Sequence, residues 1–466
     1  MIGKEEYNST LIKEFKNFLD NMQYHLILTI VLGEELYHTN PLPDYKRVKT
    51  ELTKLSATKR AIFSFFLLGE PIEKGILEDK LKSEILQYLI EINIINHDQT
   101  HYWMNNYILT SYCNCYFLVS NAPHYPTCQS VEQKPYIGTD TYWLSRIIVN
   151  NTYGDVLDLC SGSGVQAILS AKNANRVVAV ELDEKSAQIA KFNTYINNVN
   201  EKVDVRIGNL YQVVDENERF DFIVSNPPFI PIPKEIKFHM CGDGGEDGTL
   251  ILNQIFYKCK SHLKPNGQVI IIGQCIGTKE KALIENVIAK FFHNTKISLV
   301  LNSKTTLQAQ ATGFADLASK YNQREISPDE WLKMYAKMGM EYYYTFTLFI
   351  QNSEGVVEKT QIYDALDLDD IIKSNVVGIT EYSTLFSVKT FSGANVVVDQ
   401  ETIEFLKRID GISTIETIID KMPFKFKIKY GNDGDVKQKI KFISLCASLE
   451  RSNVVKKTNL EKNNLN

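Results

Sequence analysis

Asp155-Val-Leu-Asp-Leu-Cys-Ser-Gly-Ser-Gly164 is the stretch whose reading decides the fold. A short apolar run reaches Cys160, turns through two glycines and enters an apolar segment at helical spacing over 165–172. A second apolar run, 176–181, closes on Glu181. A helical pattern over 184–197, a strand over 203–207 and a fourth strand over 220–225 follow, and the last delivers Asn226-Pro-Pro-Phe229. Strands alternating with helices in this way predict an α/β fold built on a doubly wound, mostly parallel sheet.

Each part of the run has a physical use. Glycines at 162 and 164 let backbone approach a ligand where a Cβ would clash. The helix that follows points its first N–H groups at the same place. An acid at the end of the next strand, Glu181, is positioned to accept the hydroxyls of a ribose. In open parallel sheets the ligand crevice lies beyond the carboxyl ends of the strands, where these residues fall. A dinucleotide site calls for G-x-G-x-x-G, and Ala167 stands at the third glycine, so the turn alone decides little. Asp158, four residues before Gly162, and the Asn226–Phe229 tetrad after strand four narrow the choice.

With these two features, residues 136–350 resemble the class I S-adenosylmethionine (SAM) methyltransferases of the branch carrying Asn-Pro-Pro-aromatic. That branch includes release-factor glutamine methyltransferases and methyltransferases of adenine and guanine exocyclic amines. The resemblance implies a seven-stranded Rossmann-like sheet and SAM as cofactor. It implies that Asp158, Gly162 and Gly164 line the methionine side of SAM and that Glu181 holds the ribose hydroxyls. Asn209 falls where the family has an Asp facing the adenine amine; it keeps an oxygen acceptor and loses the charge. Tyr136-Ile-Gly-Thr-Asp-Thr-Tyr-Trp-Leu144 resembles the segment preceding the domain, with Thr139 and Thr141 as SAM contacts or helix caps. Gly244, Gly245, Asp247 and Gly248 match a Gly-Gly-x-Asp-Gly segment that folds over the active site in these enzymes; a flexible acidic loop is the alternative.

The implied chemistry rests on the tetrad. An amide or aromatic amine is a poor nucleophile because its lone pair is delocalised. The Asn226 side-chain oxygen and the Pro227 carbonyl would accept its two hydrogens and favour the charge developing on nitrogen. Pro227 and Pro228 stiffen the loop, and Phe229 offers a flat face to a planar acceptor. His239 and His262 are the histidines at hand, with neither beside the tetrad in sequence, which argues against a reaction needing a strong base.

Composition sets outer bounds. The chain has 466 residues, enough for two or three domains. A net charge of −5 argues against a protein living on nucleic acid, which needs a basic surface. The eight cysteines are scattered; Cys113-Asn-Cys115 is the one close pair, with no partner pair at zinc spacing, so no metal site is expected. No apolar run approaches the ~20 residues of a membrane span and the N-terminus lacks an apolar signal core, which leads to the expectation of a cytoplasmic enzyme.

Three regions follow. Residues 1–130 read as helices (53–68, 81–92), a turn at 76–79, a hairpin around His97-Asp-Gln-Thr100 and a strand-forming stretch over 107–119, a winged-helix-like domain. The helix in the reading position, 81–92, carries Lys82, Glu84 and Glu91, and a phosphate-facing helix is more basic, which favours a structural or substrate-gating role over DNA contact. Residues 131–355 hold the methyltransferase domain, with an insertion over 302–341 expected to form a lid or a wall of the substrate cleft. Residues 356–466 resemble a small winged-helix or PqqD-like module with strands over 376–398, helices over 402–409, 414–420 and 440–449, and a disordered polar tail; a plain packing domain is the alternative. The leading expectation is N-methylation of a protein or peptide. Nucleic-acid bases, a small metabolite with the module making a homodimer, and a catalytically idle SAM-binding regulator stand beside it.

Overall fold

The computed structural model describes residues 7–32, 45–120, 135, 137–149 and 151–361, and then 372–374, 376–382, 385–390, 395–410, 413, 417–418, 421 and 455–457. Pro123, Pro126, Tyr136, Gly393, most of the expected helix at 414–420 and all of that at 440–449 lie outside the described residues. The chain divides into two compact units. The first comprises 1–273, 286–299 and 347–359, and the second 274–285, 300–346 and 360–466.

The first unit opens with α1 (Ser9–Asn21), whose cap Asn8 accepts the Leu11 N–H, then α2 (Tyr24–Leu32) and α3 (Tyr45–Leu52). α4 (Ala57–Leu68) begins after Ser56 and stops at Gly69, which takes the left-handed backbone that ends helices. The expected helix 53–68 is therefore shorter, with a break at 53–56. β1 (Ile72–Glu73), α5 (Lys74–Glu78), α6 (Ser83–Glu91), β2 (Ile95–His97) and β3 (His101–Met104) follow; the strands pair antiparallel in the order β1-β3-β2. The expected turn at 76–79 is mostly α5. The 107–119 stretch is a buried hairpin, β4 (Tyr107–Tyr112) and β5 (Cys115–Ser120). It turns on Cys113 and Asn114, both at positive φ, the backbone a tight two-residue hairpin requires.

The sheet then builds through α7 (Thr139–Ile148), β6 (Gly154–Leu159), α8 (Val165–Ser170), β7 (Ala174–Glu181), α9 (Glu184–Ile196), β8 (Val203–Ile207) and β9 (Phe220–Ser225). It continues with α10 (Leu250–Cys259), β10 (Leu263–Gly277), α11 (Leu283–Phe291), β11 (Lys296–Thr306), α12 (Leu307–Asn322), α13 (Asp329–Lys337), β12 (Tyr342–Gln351) and β13 (Val357–Gln361). Strand order is β13-β11-β12-β10-β9-β6-β7-β8, with β6, β7, β8, β9 and β10 parallel where their registers meet. Eight strands stand where seven were expected. The extra edge is β13, led in by the Lys296 N–H on the Ser353 carbonyl and the Ile297 N–H on the Val356 carbonyl, so the sheet runs past the expected boundary at 355.

Val156, Val177, Ala179, Val224 and Ile270 pack one face of the sheet against Leu144 and Ile148 of α7. Ala167 of α8 and Ala171 at its C-cap join the same core, and α8 and α9 also bury Ile168, Leu169, Ile189 and Phe192 in a second core with α1, α4 and the hairpin. Each such side chain contributes about 1.5–3 kcal/mol on leaving water. A polar seam fixes the register of this packing. Asn193 on α9 and Asn197 at its C-cap use their amides to pair the free edge of β5 at Leu118 and Tyr116.

In the second unit, Trp331 of α13 is fully buried with Phe314 of α12 against it, and Phe314 meets Tyr343 edge-on. The expected insertion is thus two helices, α12 and α13, after β11 extends to Thr306. β14 (Ile372–Ser374), β15 (Val376–Tyr382), β16 (Leu385–Thr390), β17 (Asn395–Asp399) and α14 (Gln400–Leu406) complete it, with β15–β16–β17 an antiparallel meander. The polar tail expected to be disordered contributes β18 (Val455–Lys457), paired antiparallel with β14.

Candidate active site

The glycine turn leaves β6 through three left-handed positions, each separated from the next by one residue: Cys160 at φ 60°, Gly162 at 54° and Gly164 at 80°. The two glycines serve different ends. A Cβ on Gly164 would stand 3.2 Å from the Ala190 Cβ, so this position is closed against α9. A Cβ on Gly162 would meet nothing within 4 Å, which leaves its backbone open to a ligand. Cys160 holds a backbone that costs a non-glycine residue about 1–3 kcal/mol, and burial pushes its thiol pKa up.

The acids around the turn hold it in place. Gly164 caps α8 with no side chain to offer, and Asp158 supplies the oxygen instead, accepting the Ala167 N–H at 3.1 Å in the first helical turn. Burial raises the Asp158 carboxyl well above the usual range, and the charge of Glu181 adds to it. Glu181 accepts the Gly162 N–H at 2.8 Å on one oxygen and the Asp183 N–H at 2.9 Å on the other. Burial raises its carboxyl too. Each oxygen keeps a second lone pair for a hydroxyl. Asn209 stands half-buried just past β8, where the Gly208 N–H bonds the Glu181 carbonyl. Asn193 closes the arrangement by donating to the Ser163 carbonyl at 2.9 Å.

Thr141 caps its own helix: its hydroxyl accepts the Gly138 N–H at 3.4 Å, and its carbonyl accepts the Gln166 amide of α8 at 3.0 Å. The capping alternative thus accounts for the contacts of Thr141.

Register brings the tetrad to this turn. Leu159 pairs with Ser225 across β6 and β9, and the Ser225 hydroxyl donates to the Leu159 carbonyl at 2.8 Å. Asn226 therefore emerges one residue beyond the pairing, beside Cys160. Its Nδ2 donates to Asp140 Oδ2 at 2.5 Å. Its Oδ1 is buried and has no hydrogen-bond partner among the described residues, as is true of the Ser161 hydroxyl. Pro227 and Phe229 are buried and Pro228 half-buried. Asp140 lies between the two threonines singled out in the sequence and was itself passed over; a carboxylate beside two capping hydroxyls reads as one more cap.

The glycine-rich segment after the tetrad folds back onto it through backbone hydrogen bonds. The Ile230 N–H bonds the Gly242 carbonyl, the Gly244 N–H bonds the Ile230 carbonyl, and the Ile232 N–H bonds the Gly245 carbonyl. A Cβ on Gly244 would lie 2.7 Å from the Phe229 carbonyl carbon, and one on Gly248 2.5 Å from its oxygen. Asp247 accepts the Thr249 N–H and hydroxyl, starting α10. His262 stacks on Tyr211 and contacts the Glu218 carbonyl, and burial lowers its pKa, a packing role.

A family model described as the methyltransferase small domain matches residues 137–300. A Methanocaldococcus jannaschii protein named for N5-glutamine methylation of proteins is 31% identical over 153 residues, 32% of this chain and 75% of its own. The chain belongs to the class I methyltransferases of the Asn-Pro-Pro-Phe branch. A release factor glutamine methyltransferase of Clostridium acetobutylicum is 31% identical over 30% of this chain and 52% of its own, so the chain spans about half the length of that relative. A solved M. jannaschii tRNA m1G37 methyltransferase aligns at 11% identity and a TM-score of 0.33, covering 54% of this chain and 58% of that one. The residues of this methyltransferase fit SAM: an open glycine turn, an acid at the end of β7 with lone pairs to spare, and two buried polar atoms without partners at the tetrad and the turn.

Proposed function

We propose that the protein transfers a methyl group from SAM to a planar amide nitrogen, in the first instance a glutamine side chain of a protein. One observation carries the reading. Asn226 Oδ1 is a buried acceptor without a partner among the described residues, next to a cofactor turn. Leaving such an atom unpaired costs about 1–3 kcal/mol, a cost that an N–H of the acceptor would remove.

When bound, SAM supplies an electrophilic methyl group. Gly162, Glu181 and Asn209 bind the cofactor, with Asp158 and Gly164 shaping the turn beneath it. Asn226 and the Pro227 carbonyl accept the two hydrogens of the acceptor NH₂, holding its plane and favouring positive charge on nitrogen as its lone pair is used. Pro227 and Pro228 keep these acceptors in place before the acceptor arrives. Phe229, clamped through its backbone by Gly244 and Gly248, gives the amide plane a surface to rest on.

The relatives named for release-factor and ribosomal-protein glutamine methylation support a protein acceptor. So does the N-terminal module, which we read as winged-helix-like from its order of helix, short strand, two helices and hairpin. The face of α6 is covered by α1: Tyr88 Oη accepts the Asn8 N–H at 2.8 Å, and Lys82 pairs with Glu14 at 2.8 Å. A reading helix so covered serves as scaffold. Among the described residues no helix is long and apolar enough to cross a membrane.

The test is to incubate the protein with radiolabelled SAM and cell extract and to separate protein, RNA and small molecules. Label is expected in protein, and acid hydrolysis of that fraction should release labelled methylamine, as an N-methyl amide does. Label in RNA, or label stable to hydrolysis on lysine or arginine, overturns the reading.

A further inference from the structure

We propose that Asp140 is a positioning residue whose carboxylate fixes the orientation of the Asn226 side-chain amide, so that Oδ1 and not the NH₂ group faces the methyl acceptor. The inference rests on the amide-acceptor reading above and assigns the group that makes Asn226 fit for it. An asparagine side chain is nearly symmetric in shape, and turning it over exchanges an acceptor for a donor at no steric cost. A turned-over Asn226 would present NH₂ to the acceptor's NH₂, two donors facing each other. Something must choose between the two states.

Asp140 can choose. Ionised, it only accepts, and its Oδ2 lies 2.5 Å from Asn226 Nδ2, a partner 86 residues away in the chain. The reversed amide would set Oδ1 against this oxygen, two acceptors in repulsive contact. The carboxylate is itself held, because Asp140 sits in the first turn of α7, where its own N–H and that of Thr141 stabilise the charged form. α7 is tied to α8 through Gln166 and Thr141. The bond also polarises the amide: negative charge at the Nδ2 hydrogens moves electron density towards Oδ1 and makes it a stronger acceptor. The groups acting on this carboxyl are the Asn226 amide and those two backbone N–H groups, with no charged side chain among them, and burial places its pKa above the ordinary aspartate value.

The experiment uses the full chain labelled with ¹⁵N. The side-chain NH₂ signals of Asn226 are identified by their loss in Asn226→Ala. In the wild type they are expected to shift with pH as Asp140 titrates; in Asp140→Asn the titration should vanish while the backbone spectrum overlays the wild type, which shows the fold intact. Asp140→Glu should restore a titration. Turnover on unmethylated release factor should fall about tenfold or more in Asp140→Asn, the scale of a misplaced reacting group, with the calorimetric Kd for SAM within twofold of wild type and partial rescue in Asp140→Glu. Asn226 signals indifferent to pH and to Asp140→Asn overturn the proposal, as does wild-type turnover in that variant. If the titration is present and no amide is methylated, the clamp stands and the amide reading falls.

Discussion

Asn226 is asked to be an acceptor on one side and a donor on the other, and the described residues give it a fixed partner on the donor side alone. This division has a pH signature. Asp140 has its pKa raised by burial, so the carboxylate that holds Nδ2 is lost as pH falls through a value above the usual 3.8. Turnover should therefore show an acid limb at higher pH than an exposed aspartate would give, while SAM affinity stays level across it. A limb that SAM affinity follows in parallel would place the titration in cofactor binding instead. The tetrad and the glycine turn were legible in the sequence because each is a local pattern with one use for its residue types. The roles inside the turn were not. Gly164 and Gly162 read alike on paper, and only the position of Ala190 on α9 separates the glycine that packs from the glycine that stays open. The Asp140–Asn226 pair was equally hidden, since its two halves meet through the β6–β9 register and the placement of α7.

At the scale of elements, two contacts carry consequences. Gly248 takes φ 77° with no room for a Cβ before the Phe229 carbonyl. Gly248→Ala should cost about 1–2 kcal/mol for the left-handed backbone and displace Phe229, lowering turnover while SAM binding persists; unchanged kinetics would show that Phe229 needs no such clamp. Asn193 makes three bonds, two to Leu118 of β5 and one to the Ser163 carbonyl in the cofactor turn. Asn193→Ala should cost about 3 kcal/mol or more, since buried backbone groups are left unpaired, and weaken SAM binding through Ser163. Denaturant unfolding and calorimetry on the same variant check both; a loss of stability with full SAM affinity would confine Asn193 to packing. Sequence periodicity found α9 and β5 and could not pair them. It also missed β13, a short exposed edge without an alternating apolar pattern, and the break before α4, where Ser56 restarts a helix inside a continuous helical pattern.

For the whole molecule, charge decides between acceptor classes. A net charge of −5 and a pI near 6.0 leave little to attract a phosphate backbone. Any affinity for RNA is expected to be weak and nearly flat between 50 and 200 mM salt, a range over which a protein contacting several phosphates loses roughly 10³-fold or more. A steep salt slope would return the nucleic-acid alternative. The large-scale reading of the sequence held for the α/β sheet and its order of motifs, because alternation of strand and helix is a strong constraint. It did not count the strands, and it left the tail without the β18–β14 pairing, which joins segments some eighty residues apart.

The most direct test of the account is the split between cofactor binding and turnover in Asn226→Ala. The calorimetric Kd for SAM should remain within a few-fold of wild type, while methylation of the protein fraction, read as labelled methylamine after hydrolysis, falls by roughly 10²–10³. Turnover equal to wild type, or a loss fully explained by weaker SAM binding, would contradict the claim that Asn226 holds the acceptor amide.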